Sequence, residues 1–268
     1  MILKNNYYWF QAALSEAQCN MIIEHGIDEM ARMEKMYGER STDATTFDHR
    51  QKGGELGSTP AGEIASGAMD KQQIKRKGLK EEDLYIRDTK VSWMSEPWIY
   101  EIFHPFIHEA NRAAGWNFEW DYTEAGQFTK YDKGQFYGWH PDCGDQPYEM
   151  FDPEIHEYKY NADGTPALDV YGNKIPKDNR YVTNPNYAGR VRKLSMTCNL
   201  TNPDNYDGGN LRFDFGPHAG EKRYHTCTEI RPKGSIIIFP SHVYHQVSPV
   251  TRGTRYSMVM WNLGRPFR

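Results

Sequence analysis

From residue 116 to the C-terminus the chain is a succession of short β-type runs, 118–124, 126–132, 135–140, 191–200, 210–215, 235–239, 243–247 and 255–262, punctuated by Gly, Pro, Asn and Asp. Runs this short cannot bury a face in isolation, and a series of them separated by turn residues closes into a sandwich or a barrel. Ile236, Ile237, Ile238 and Phe239 follow one another without polar alternation. That strand is predicted to be covered on both faces, at the centre of a sheet. The predicted class is mainly β with flanking helices.

The helices precede the β series. Ser15 and Gln18 have the spacing of a capping box, and Cys19, Ile22 and Ile23 follow as apolar positions, which predicts a helix to about Met30. A short strand over Thr89 to Met94 leads to Ser95-Glu96-Pro97, read as a second helix start with a capping serine and a proline in the first turn. That helix is predicted to run to about Ala114, kinked or broken at Pro105, because proline removes a backbone donor and clashes with the preceding turn. Residues 38–67 are polar and glycine-rich and read as a long loop, and the basic run 71–80 reads as a solvated surface. The tyrosine-rich, turn-rich stretch 143–190 interrupts the strands and reads as a lid.

With 38% hydrophobic and 14% aromatic residues the chain has apolar surface for one sizeable core. We read residues 1–268 as a single domain, with N-terminal helical support over 1–115 and a β core over 116–268 that carries the lid insertion 143–190. The 32 Lys and Arg against 36 Asp and Glu, net charge −4, do not make the electrostatic footprint of a general nucleic-acid binder. No apolar stretch is long enough for a membrane span. The start, Met1 to Phe10, carries no secretory apolar run, and Cys19, Cys143, Cys198 and Cys227 form no C-x-x-C pair. The expectation is reduced thiols in a cytoplasmic protein.

Chemistry is concentrated at Trp139-His140-Pro141-Asp142, at the end of the run 135–140. Residues i and i+2 project from one face of a strand, so His140 and Asp142 can reach the same metal ion. A third ligand would complete the two-histidine, one-carboxylate arrangement that leaves positions open on Fe(II). His242 and His245 are the downstream candidates; three apart on a strand, they point to opposite faces, and one of them would serve. A pair of this kind is also common on surfaces and in cores. Ten residues after His245 stands Arg255, whose guanidinium could grip a carboxylate in two-pronged fashion; its bland alternative is a surface arginine.

Tyr131-Asp-Lys-Gly-Gln-Phe-Tyr137-Gly-Trp-His140-Pro-Asp142, then Tyr206-Asp-Gly208-Gly209-Asn-Leu211, then Gly234 to Ser241, then His245, then Pro249 to Arg255 together resemble the prolyl 4-hydroxylase-like branch of the 2-oxoglutarate- and Fe(II)-dependent dioxygenases. The resemblance covers about residues 129–266 plus the opening helix at Leu14 to Cys19; segments 38–83 and 143–190 have no counterpart. It implies a double-stranded β-helix, or jelly roll, with Fe(II) held by His140, Asp142 and His245, and leaves His242 as a neighbour. It also implies that 2-oxoglutarate pairs its far carboxylate with Arg255, that Tyr131 borders the cosubstrate pocket, that dioxygen is the second cosubstrate, and that ascorbate is a candidate accessory. Asn199 occupies a position where many relatives place a tyrosine over the same carboxylate. Related halogenases lack the carboxylate that is Asp142 here, which disfavours halogenation. Nucleic-acid demethylases of the wider superfamily carry a second arginine where this chain has Trp261, which argues against an alkylated-base substrate.

Strand parity adds an independent expectation. If Arg255 faces the interior, Ser257, Val259 and Trp261 share its face. Ser257 could then donate to the same carboxylate and Trp261 could wall the substrate side, with plain core packing the alternative for Val259 and Trp261. The expected function is hydroxylation of prolyl residues in a peptide or protein. The alternatives are the same mechanism on a free amino acid or other small metabolite, and a non-catalytic jelly-roll binding module. Tyr148, Tyr158, Tyr160, Tyr171, Tyr181 and Tyr187 suit a lid that closes on an extended peptide; a decorated hairpin packed on the barrel or on another subunit is the alternative. Nothing in the sequence assigns an oligomeric state.

Overall fold

The computed structural model describes residues 5–39, 41–47, 85–144, 146–160, 164–167, 173–178 and 180–267. The basic run 71–80, Tyr171 and most of the loop 38–67 lie outside these residues. Helix α1 (Glu16–Tyr37) and helix α2 (Pro97–Ala113) flank a set of strands: β1 (Tyr8–Phe10), β2 (Asp43–Phe47), β3 (Tyr85–Met94), β4 (Tyr122–Thr123), β5 (Gly126–Tyr131), β6 (Phe136–His140), β7 (Glu149–Met150) and β8 (Tyr181–Val182). The second half adds β9 (Val191–Asn199), β10 (Tyr206–Gly208), β11 (Leu211–Asp214), β12 (Tyr224–Thr226), β13 (Ile236–Pro240), β14 (Tyr244–Val247), β15 (Val250–Gly253) and β16 (Arg255–Gly264).

One curled, antiparallel sheet runs in the order β1-β13-β9-β16-β5-β3-β6-β14-β11-β12, with β2 on β3 and β4 on β16. This is the jelly roll. The central position expected for Ile236 to Phe239 holds, since β13 pairs with β1 on one side and β9 on the other, and all five of its residues are buried.

The Ser15–Gln18 capping box is present, with Ser15 Oγ accepting from the Gln18 amide at 3.2 Å. The helix it opens runs one to two turns past Met30, because Met30 and Met33 continue the buried stripe begun by Cys19, Ile22 and Gly26. The second helix differs from expectation at both marked residues. Glu96, not Ser95, is its N-cap and makes no side-chain cap, while Pro97 fills the first turn. Pro105 does not break it, because Pro105 and Glu101, whose carbonyl loses its partner, are both exposed to water. Ile99, Phe103, Ile107 and Ala110 are fully buried along one stripe, and burial of each large side chain contributes about 2 kcal/mol. That stripe belongs to the same hydrophobic cluster as Phe128 on β5, Met196 on β9, Ile238 on β13 and Met258 on β16.

The run 118–124 is a strand only at Tyr122–Thr123; Trp116, Phe118 and Trp120 instead pack on the main core. Asp43–Phe47, inside the stretch read as loop, pairs with β3 as an edge strand. In the insertion, β7 and β8 form a two-stranded parallel ladder, and Tyr148 and Tyr187 contact each other and, through Tyr187, Tyr122 on β4. Phe151 packs on Tyr158, and His156 on Tyr181.

Candidate metal and cosubstrate site

Strand β6 reaches the barrel interior through a bulge. His245 on β14 pairs with His140, but Val247 pairs with Tyr137, so two residues of β6, Gly138 and Trp139, stand opposite the single Gln246. The extra residue turns Tyr137 and His140, three apart, onto the same face. Asp142 is pinned just beyond by its amide and that of Cys143, both donating to Ser241 O, at 2.9 and 3.1 Å. Asp142 Oδ1 then lies 3.6 Å from His140 Nε2, and Oδ2 3.6 Å from His245 Nε2. One ligand atom from each of His140, Asp142 and His245 lies within 4.8 Å of the others. His242 is solvent-exposed, with Phe267 as its aromatic neighbour.

Hydrogen bonding sets the protons. His140 Nδ1 is 2.7 Å from Gly138 O, and His245 Nδ1 is 3.0 Å from Val243 O. A carbonyl oxygen only accepts, so in each ring Nδ1 carries a hydrogen, and Nε2 is the atom turned toward Asp142. Burial pushes the His245 imidazole down to about 4, so it is neutral at ordinary pH. Burial alone would raise the Asp142 carboxyl, but His245, His140 and the Arg192 guanidinium outweigh it and hold the group below the usual carboxylate range. Two imidazole Nε2 atoms and an ionised carboxylate converge, which is the donor set of a divalent-metal site with open positions.

The remaining site residues, Asn199 excepted, line the same cavity. Arg255, Ser257, Val259 and Trp261 all face it, together with Gln127, Tyr131, Tyr137, Thr197, Leu211, Phe239 and Val247. Arg255 is 2% exposed, stands opposite Tyr131 in the β5–β16 register with its Cζ 5.4 Å from that ring, and has a buried Nη1 without a hydrogen-bond partner among the described residues. Gly209, at φ +58°, backs the stem of Arg255; a Cβ there would meet Arg255 Cδ at 2.9 Å. Asn199 lies across from Ser257 but is not among the lining residues; its amide nitrogen donates to Thr201 O and Arg231 O, at 2.9 and 2.8 Å.

At the opposite end, Trp261 Nε1 is buried without a hydrogen-bond partner among the described residues. The Arg192 guanidinium lies 4.0 Å over the Trp261 ring and binds Glu124 through two hydrogen bonds of 2.6 Å. Its Nη1 also donates to Asp142 O at 3.3 Å. Sequence reasoning missed Tyr137, Gln127, Thr197, Arg192 and Glu124. A glycine inside the run 135–140 was the available signal for the bulge that exposes Tyr137 to the cavity. Glu124 and Arg192 are 68 residues apart, and no local pattern links them.

Residues 126–262 match the family model described as the 2OG-Fe(II) oxygenase superfamily. A PKHD-type hydroxylase of Delftia acidovorans is 35% identical over 118 residues, 43% of this chain and 44% of that protein. One of Synechococcus sp. (strain JA-2-3B'a(2-13)) is 40% identical over 68 residues, 25% of this chain and 27% of that protein. The chain thus spans less than half the length of these relatives. A Pseudomonas putida prolyl-4-hydroxylase structure superposes with a TM-score of 0.51 at 15% identity, covering 97% of this chain and 93% of the other. The viral collagen prolyl hydroxylase of Paramecium Bursaria Chlorella virus-1 gives 0.50 at 13% identity, covering 97% of each chain. At those identities the likeness is one of fold.

Proposed function

The chain belongs to the 2OG-Fe(II) oxygenase superfamily, and from that premise we propose that it hydroxylates prolyl residues within a peptide or protein, with Fe(II), 2-oxoglutarate and dioxygen. The donor set fits the metal: His140, Asp142 and His245 would hold it through two Nε2 lone pairs and one carboxylate. The partnerless Nη1 of buried Arg255 fits the far carboxylate of 2-oxoglutarate, with Tyr131 and Ser257 beside it. When bound, iron, 2-oxoglutarate and dioxygen supply the oxidising chemistry that replaces a C–H hydrogen by hydroxyl.

The charge pattern at the other end of the cavity carries the choice of a peptide over a free amino acid. A free amino acid brings a carboxylate and an ammonium, each needing a counter-charge when desolvated. Among the lining residues the charged partners are already assigned, Asp142 to the metal and Arg255 to the cosubstrate, while Arg192 is neutralised by Glu124. The unpartnered N–H of Trp261 remains. It suits an uncharged acceptor such as a peptide carbonyl oxygen, and the face of Trp261 turned away from Arg192 suits a pyrrolidine ring.

The deciding experiment measures succinate release in the presence of short proline-containing peptides or of free proline and other amino acids. Stimulation by peptides with a mass gain of one oxygen on a prolyl residue is expected. Stimulation by a free amino acid alone would move the reading to a small-metabolite oxygenase, and failure to bind a metal would reduce the chain to a binding module.

A further inference from the structure

Arg87 does not line the cavity. In the β3–β6 pair it stands directly opposite Tyr137, and its Cζ lies 4.6 Å from the centre of the Tyr137 ring. The same ring carries the imidazole of His140, with centroids 3.5 Å apart and planes inclined by 13°. An imidazole that close leaves no room for a guanidinium on its own side of the phenol. The three groups therefore form a column, Arg87, Tyr137, His140, that ends on a candidate metal ligand.

Each contact in the column has a physical consequence. A near-parallel, face-to-face pair of rings is a geometry that their quadrupoles disfavour. A cation against the far face of Tyr137 is attracted to that ring and offsets the repulsion. Arg87 itself is held weakly by other means: Nε donates to Thr89 Oγ1 at 3.0 Å, and Nη2 is buried without a hydrogen-bond partner among the described residues. The ring face is thus a main compensation for the hydration this guanidinium loses. On the side of the metal ligand, the bond from His140 Nδ1 to Gly138 O fixes the tautomer, but one hydrogen bond does not fix the tilt of the ring. The stacked phenol does. Among the described residues His245 has no such column; Phe239 meets it edge-on, at 4.7 Å and 63°.

We propose that Arg87 is a positioning residue for the metal centre: acting through Tyr137, its guanidinium fixes the ring plane of His140 and keeps Nε2 aimed at the metal. This rests on the reading of His140, Asp142 and His245 as metal ligands. Groups that orient a ligand in this way typically alter metal affinity by about 10- to 100-fold when removed.

The test uses Mn(II) as the probe, titrated into the full chain and followed by the electron paramagnetic resonance of the free ion. It is paired with imidazole resonances of the metal-free protein labelled with 15N-histidine. Arg87→Leu should weaken Mn(II) binding about tenfold or more and shift the His140 ring signals, leaving the His245 signals and the melting temperature of the metal-free protein in place. Arg87→Lys, which keeps a cation over the phenol, should recover most of the affinity. In a Tyr137→Leu background Arg87→Leu should have little further effect, because the two residues act as one unit. The proposal is overturned by unchanged Mn(II) affinity in Arg87→Leu. An equal loss in the Tyr137→Leu background also overturns it, as does movement of the His140 and His245 signals together with a lowered melting temperature. Absence of Mn(II) binding by the unmodified chain would defeat the metal reading itself, a result distinct from all of these.

Discussion

Arg255 combines 2% exposure with a guanidinium nitrogen that has no hydrogen-bond partner. A buried, unpaired charge is costly, and the cost is recovered when an anion arrives to pair with it. We expect Arg255→Leu to raise the half-saturating concentration of 2-oxoglutarate by about 100-fold or more, consistent with the 2–5 kcal/mol typical of truncating a buried charge pair. Metal binding should persist; an unchanged half-saturation would place the carboxylate elsewhere. A second expectation separates the two downstream histidines. His140→Ala and His245→Ala should abolish stoichiometric Fe(II) binding, whereas His242→Ala should keep it, as measured by anaerobic iron titration; loss of iron in His242→Ala alone would reverse the ligand choice. These residues were legible in the sequence because each sits in a local motif with fixed spacing. Tyr137 and Arg87 were not. The first depends on a bulge that changes strand parity, and the second on the pairing of β3 with β6, between which α2, β4 and β5 intervene, so no local pattern links the two residues.

Among the elements, α1 shows how far local pattern reaches. Its capping box and apolar stripe could be read directly, but the reason for Gly26 within the stripe could not. A Cβ at Gly26 would lie 2.4 Å from Phe128 Cγ on β5, and Ser92 Oγ on β3 donates to Gly26 O at 2.9 Å. The glycine lets the helix backbone settle against the sheet. Gly26→Ala should gain about 1 kcal/mol of helix propensity and lose about 1–3 kcal/mol to overpacking against a ring with little room to move. The net change is expected to be destabilising, and equilibrium denaturation in urea would read it; a stabilised variant would mean that Phe128 yields easily. The edge strands were the least legible elements. β10, β12 and β15 span three or four residues each, too few for a period of two to stand out, and their existence is decided by partners on other strands. Ser95 failed as a cap for the opposite reason: a plausible local signal lost to Pro97, which began the helix one residue later than the serine requires.

For the molecule as a whole, the helices and the jelly roll share one hydrophobic cluster, whereas the insertion after Cys143 carries much of its own packing. Its stem, Tyr148 and Tyr187, meets Tyr122 beside the Glu124–Arg192 pair, and its outer part packs Phe151, His156, Tyr158 and Tyr181 on one another. Replacing residues 150–185 by a short linker should therefore leave the barrel folded and preserve slow turnover of 2-oxoglutarate without substrate, while peptide hydroxylation is lost. Normal hydroxylation of a proline peptide by the shortened chain would relegate the insertion to decoration.

The bulge in β6 has a mechanical consequence. It interrupts the ladder between β6 and β14 at the very place where His140 and His245 face each other across it, so a cation held by both rings and by Asp142 would rivet a seam that backbone hydrogen bonds leave partly open. Metal removal should then unfasten the barrel locally and not melt it. Amide hydrogens of residues 136–142 and 244–247 should exchange faster in metal-free protein than with Mn(II) bound, while those of β13 and of the unbroken stretches 194–199 of β9 and 257–262 of β16 exchange at the same rate in both. A uniform change across all of these strands would show that the cation tightens the molecule as a whole. Confined to the seam, the loosening would make the walls of the reaction chamber the first part of the protein to breathe, and would give iron a way in and out that leaves the rest of the roll closed.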